Sequence, residues 1–276
     1  MKTQINDSAP IARYPYNTVI PFNRQNGSTS ILEQVQLPIY SGSISGLRKP
    51  EIDYLVLASD LQGTIQQDGE TLLLGEVLPE FLQMVFELEY KLTDLNRVGV
   101  MLCGDLYART DKRGGLGDVR HVWRRFNELF RFVVGVAGNH DDFGQPEEQA
   151  AFTQEEGIHL LHGEVAEIAG IQFGGISGVI GRPSKPNRNE ASIHLKELIY
   201  LLQENPDFVL LHEGPDNISP RLRGNVRIRQ LIDQYSTSIV CCGHRHWDTT
   251  VVNKPNGSQV INVDAKCVIF KLEEQA

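Results

Sequence analysis

Five short apolar runs, each closing on a polar cluster, constrain the fold of this chain more than any other feature. They occupy residues 54–58, 98–103, 132–137, 208–211 and 238–242. Runs this short and continuous read as strands buried on both faces. Between them lie stretches with apolar residues near a 3.6-residue period, such as Leu78, Phe81, Leu82, Val85, Leu88 and Leu92. The spacing predicts helices over 77–95, 119–130, 147–156, 192–203 and 223–234, with Asp118 capping the second. Strand–helix alternation implies βαβ units. Segments 165–168 and 171–173 read as a hairpin, 249–252 and 260–263 as strands around an Asn256-Gly257 turn, and 267–272 as a closing strand. The fold class is α/β, with a more antiparallel second half.

Composition removes several alternatives. Lys plus Arg is 26 against 35 for Asp plus Glu, a net charge of −9 that disfavours a nucleic-acid binder as a whole-chain description. Hydrophobic residues at 41% and charged residues at 22% are those of an ordinary globular protein. No apolar run approaches the roughly 18 residues of a membrane helix, and the N-terminus lacks a signal-peptide apolar core. Cys103, Cys241, Cys242 and Cys267 sit in apolar, strand-like surroundings and read as buried reduced thiols. A cytoplasmic protein is expected. Residues 1–50, punctuated by Pro, Ser, Asn and Gly, are expected to form an irregular N-terminal extension with a short strand or two, ahead of a domain spanning 51–276. The glycine-rich loop 113–117 is not a phosphate-binding P-loop, because it lacks the lysine and the spacing.

Chemistry concentrates where the strands end. The runs finish in Asp60 and Gln62, Asp105, Asn139 and His140, His212, and His244 and His246. Ligands of open α/β sheets collect beyond the carboxyl ends of strands, so one sheet system could gather these side chains. The donors mix carboxylate, amide and imidazole. That set suits divalent Mn, Fe, Zn or Co better than Ca or Mg, and the absence of thiolate argues against a structural zinc site. Asp105 could bridge two ions through its two oxygens. A pair of ions about 3.5–4 Å apart polarises a phosphate ester and supplies a bridging hydroxide for in-line attack. The remaining task is protonating the leaving oxygen. His140 suits it, with Asp141 beside it to orient the imidazole and raise its pKa.

The blocks Asp60-x-Gln62, Gly104-Asp105, Gly138-Asn139-His140-Asp141, His212 and Gly243-His244-x-His246 resemble, in order, the five-block signature of the calcineurin-like metallophosphoesterases. The resemblance implies a four-layer αββα sandwich of two mixed β-sheets flanked by helices, with two divalent ions at the sheet edge. It assigns Asp60, Gln62, Asp105 and His246 to one ion and Asp105, Asn139, His212 and His244 to the other. The first block is usually Asp-x-His in that family; here Gln62 offers a weaker, harder amide oxygen, which favours Mn.

The expected activity is hydrolysis of a small phosphorylated substrate, a phosphodiester or nucleotide ahead of a phosphoprotein. Arg182, Lys185 and Arg188, on a loop rich in positive and amide groups, are the candidate anion contacts. Arg221, Arg223, Arg227 and Arg229 form a second basic stretch. Tyr107, two residues past Asp105, could lean into the cleft or pack in the core. His121, His159, His162 and His194 fall outside the blocks and read as surface or structural groups. Two rivals remain: a scaffold that keeps the fold without turnover, supported by Gln62, and a nuclease, opposed by the acidic charge.

Overall fold

Side-chain parity along the buried strands sorts the core into three apolar layers. In the strand Tyr54–Ser59, Val56 and Ala58 join one cluster while Leu55 and Leu57 join another. In the strand Phe208–Glu213, Phe208 and Leu210 share that second cluster while Val209 and Leu211 enter a third. Alternation with period two makes each strand feed two layers. The second cluster therefore lies between two sheets, and the other two lie under helices. This is the expected four-layer αββα arrangement. The computed structural model describes the chain except residues 7–8, 25–26, 113, 236–238 and 274–276, so Arg113 and Ser238 of the expected loop and strand fall outside the described residues.

One sheet runs in the order 158–160, 132–135, 98–102, 54–59, 266–273, 27–45, 12–24, 64–67 and 70–73, with 2–6 pairing beside 27–45. Its strands 54–59, 98–102, 132–135 and 158–160 are mutually parallel, and 266–273 runs antiparallel to 54–59. The other sheet runs 164–168, 171–176, 208–213, 239–243, 259–262 and 251–253, parallel through its four central strands. Helices α1 (Leu74–Val85), α2 (Arg120–Leu129) and α3 (Pro146–Phe152) cover the first sheet through Leu78, Leu82, Val122, Trp123, Phe126 and Phe152. Helices α4 (Ala191–Glu204) and α5 (Val226–Gln234) cover the second through Leu198, Leu201, Ile228 and Ile232. Helix α1 starts earlier than its periodicity suggests, with Glu76 Oε2 accepting the Leu73 N–H at 2.6 Å. Asp118 accepts the Arg120 N–H at 2.9 Å at the start of α2. All four cysteines are buried and free. Among the described residues, no helix is long and apolar enough to cross a membrane.

The N-terminal segment differs from expectation. Residues Ala12–Arg24 and Gly27–Ser45 form a long antiparallel hairpin, and Gly27–Ser45 also pairs in parallel with the closing strand. The prolines that suggested irregularity are tolerated for a positional reason. Pro38 lies one residue outside the ladder to 266–273, which begins at the Cys267–Ile39 pair. Pro15 sits on a strand whose far edge meets the neighbouring strand 64–67 at one register pair, Asn17 with Thr64. Proline is accepted where no partner awaits its missing N–H. The alternation of buried Leu37 and Ile39 was the strand signal in this stretch.

Candidate metal centre

The parallel strands of both sheets deliver their carboxyl ends to one rim. Three residues there break the extended backbone by turning left-handed: Asp60 at φ 54°, Asp105 at φ 56° and His244 at φ 65°. Such conformations are uncommon outside glycine and persist where the surroundings enforce them. Here the enforcement is a set of bonds between the loops. The Asp60 N–H donates to the Gly104 carbonyl at 2.9 Å. The Asp105 Oδ1 accepts the His140 N–H at 2.9 Å. The Asp60 Oδ2 accepts the His244 N–H at 2.9 Å, joining the first sheet to the second. Close approach explains two glycines of the blocks. A Cβ on Gly243 would lie 2.1 Å from Asp60 Oδ2, and one on Gly138 would lie 2.0 Å from Asp105 Oδ1.

Asp105 Oδ2 is the meeting point. His212 Nε2 lies 3.3 Å away, Gln62 Nε2 3.1 Å and His140 Nε2 3.9 Å. Asp105, His212 and His244 each offer a ligand atom, all within 4.8 Å of one another. His212 stands beside a register shift in its strand, a device that re-aims a side chain. Its Nδ1 donates to the Cys103 carbonyl at 2.7 Å, which fixes the ring so that Nε2 faces Asp105 Oδ2.

The residues fit a divalent cation by what they leave unsatisfied. Among the described residues, Asn139 Oδ1 and His212 Nε2 are buried side-chain atoms without a hydrogen-bond partner. A buried imidazole nitrogen that faces only a carboxylate, with a second imidazole within 4.8 Å, suits a cation seat. Charge agrees. Burial, then the neighbouring Asp264 carboxylate, raises the Asp60 carboxyl well above its ordinary range. Burial opposes charge on His212, but Asp105 outweighs it and lifts the imidazole to about 10. Burial and the adjacent His212 push His244 down to about 4.

The expected site residues separate into three groups. Asp60, Gln62, Asp105, Asn139, His140, His212 and His244 converge on the rim. His246 reaches it differently: its side chain is 59% exposed, and its Nδ1 lies 3.2 Å from Asp264 Oδ2. Asp141 is not positioned to orient His140. Its carboxylate accepts the backbone N–H groups of Asp105 at 2.8 Å, Leu106 at 2.7 Å and Gly138 at 2.7 Å, so it ties two ligand loops together. His140 Nδ1 instead meets the backbone of Gly115, with the carbonyl 3.1 Å away. Arg182, Lys185 and Arg188 do not line the cleft that holds Asp60, Gln62 and His246. Their loop abuts the Asn139 side, where Asn187 Nδ2 donates to the carbonyls of Gly138 at 2.9 Å and Asp141 at 2.6 Å. Tyr107 lines that cleft. His194 is fully buried on α4 beside Asn189.

Asp264 was missed by sequence reading. Its backbone bridges to Ser59 beside Asp60, and its Oδ2 lies 3.2 Å from His246 Nδ1. It follows the apolar strand Gln259–Asn262, repeating the pattern of Asp60 and Asp105 after theirs. That repetition was the available signal.

Residues 55–248 match the family model described as calcineurin-like phosphoesterase. No curated protein matches the chain. Among solved structures, the crystal structure of TT1561 of Thermus thermophilus is similar over 78% of this chain and 90% of that chain, with 18% identity and a TM-score of 0.53. This likeness is one of fold.

Proposed function

The chain belongs to the calcineurin-like phosphoesterase family, and on that premise we propose that it hydrolyses phosphate esters with two divalent ions, with phosphodiester or nucleotide-type substrates preferred. The observation that carries the reading is the trio Asp105, His212 and His244, whose ligand atoms all lie within 4.8 Å of one another. Asp105, Asn139, His212 and His244 would hold one ion. Asp60, Gln62, Asp105 and His246 would hold the other, with Mn favoured because the amide oxygen of Gln62 is a hard donor. Bound there, such ions polarise the ester oxygens, acidify water and offset the charge that develops at phosphorus.

The protein's own groups do the rest. Asp105 and Asp60 balance cationic charge in a buried setting. Asp141 holds the Asp105 and Gly138 loops at fixed separation through three backbone bonds. Gly115 holds His140 Nδ1, which leaves Nε2 on the side of Asp105 Oδ2. A protonated His140 there would donate to the departing oxygen, a contribution of about 10²–10⁴ in rate when the leaving group is poor.

The test is hydrolysis of bis-p-nitrophenyl phosphate and p-nitrophenyl phosphate after Mn loading, with metal content measured on the same sample. Turnover that disappears on chelation and returns with Mn supports the reading. Full metal occupancy with no hydrolysis of any ester would overturn it in favour of a non-catalytic scaffold.

A further inference from the structure

The cleft beside Asp60 and Gln62 has a wall that the family-matched segment does not supply. The cleft encloses about 550 Å3. Asp60, Gln62, His246 and Asp264 contribute to it, and so do Tyr16, Gln36 and Tyr40 from the N-terminal hairpin. Tyr107 and Lys112 complete the lining that matters here. The hairpin residues all precede residue 55, where the family match begins.

The hairpin is fastened to the first ligand loop at three successive positions. The Tyr16 ring lies against Gly63, where a Cβ would come within 2.0 Å of its Cδ2. Asn17 pairs with Thr64 in the ladder. Thr18 Oγ1 donates to the Gln62 carbonyl at 3.0 Å. Parity then decides what faces the cleft. Leu37 and Ile39 enter the helix-side core, so Gln36 and Tyr40 turn to the opposite face and line the opening.

We infer that this wall recognises the organic part of the phosphoester, and that this part is a flat heteroaromatic ring of the nucleoside type. The inference rests on the phosphoesterase reading, because the phosphate end must reach the ion ligands. Tyr40 and Tyr107 bring aromatic rings to the lining, and the Gln36 amide offers both donor and acceptor to a ring edge. Lys112 supplies positive charge at the margin, whereas Arg109 is engaged by Asp111 at 2.7 Å. The volume suits a small organic ligand rather than bare phosphate.

The experiment is calorimetric titration of the Mn-loaded full chain with inorganic phosphate, methyl phosphate, phenyl phosphate and thymidine 5′-monophosphate. The nucleotide is expected to bind about tenfold tighter than inorganic phosphate, with phenyl phosphate between them. Gln36→Ala and Tyr40→Ala should each shrink that ratio to about threefold without altering phosphate itself. Lys112→Ala should weaken all four ligands by a similar factor. Gln36 is exposed, so its variant keeps the test valid if Tyr40→Ala fails to fold. Equal affinity for all four ligands, or variants that leave the ratio unchanged, overturns the inference. Phenyl phosphate equalling the nucleotide overturns its nucleoside part. Ester hydrolysis without ligand discrimination sinks this inference alone. Tight nucleotide binding without hydrolysis of any ester sinks the phosphoesterase reading instead.

Discussion

His246 Nδ1 lies 3.2 Å from Asp264 Oδ2, and the Asp264 carboxylate stands close enough to the Asp60 carboxyl to raise its pKa. A carboxylate on one imidazole nitrogen orients the ring and makes the other nitrogen a better donor. The chain thereby gains an acidic support beside the position where Gln62 replaces an imidazole. Asp264→Asn is expected to weaken binding of one Mn ion by about 10–100-fold while the other is retained. Mn titration followed by electron paramagnetic resonance counts the two classes directly. Two equally tight ions in the variant would show that Asp264 supports neither.

Gln62→His tests the same region from the other side. Imidazole is a stronger donor to Zn and Co than an amide oxygen. The variant should bind a second Zn about tenfold more tightly in competition with a chromophoric chelator. Unchanged affinity would mean that Gln62 serves Asp105, to which its Nε2 donates at 3.1 Å, and not an ion.

Asp141→Ala separates a bracing role from an orienting one. Three buried backbone N–H groups lose their acceptor, each costing about 1–3 kcal/mol. The variant should lose about 3 kcal/mol or more in urea unfolding. A fall in turnover with an unchanged urea midpoint would restore Asp141 to the role of orienting His140.

His140→Ala should depend on the leaving group. Esters of p-nitrophenol need little protonation as they depart, whereas alkyl esters need a proton. The rate loss should therefore be larger for an alkyl leaving group, by about 10²-fold. Equal losses on both ester types would remove His140 as the acid and leave it a role in binding.

His194 sets a pH dependence of stability. Burial, with His162 nearby, depresses its pKa from 6.5 to about 4. Below pH 6.5 the unfolded chain takes up a proton that the folded chain refuses, so stability falls as pH drops toward 4 and then levels off. The loss attributable to this residue is about 3 kcal/mol. His194→Asn should flatten the fall between those limits, as read by urea titrations at several pH values. An unaltered slope would assign it to other groups.

What could be read in advance follows strand grammar. Asp60, Asp105, Asn139 and His244 each stand just past a buried apolar run, and His212 sits near the end of one; their gathering on one rim was legible because short runs reveal strands and strand ends bring side chains together. Asp264 obeys the same grammar after Gln259–Asn262 but lies outside the recognised blocks. Asp141 was misjudged because adjacency to His140 in sequence does not make adjacency of side chains; at that turn its carboxylate points to backbone amides. The hairpin was hidden by prolines such as Pro15 and Pro38, which lie where their strands pair with one neighbour and not a second.

The strand Lys266–Glu273 is covered on one side by Tyr54–Ser59 and on the other by Gly27–Ser45. Removing residues 1–45 would strip away the second cover. The freed edge, with Val268, Ile269 and Phe270 in its middle, would become a template for self-association. The same cut would unseat the loop carrying Gln62, so solubility and ion binding would be lost together.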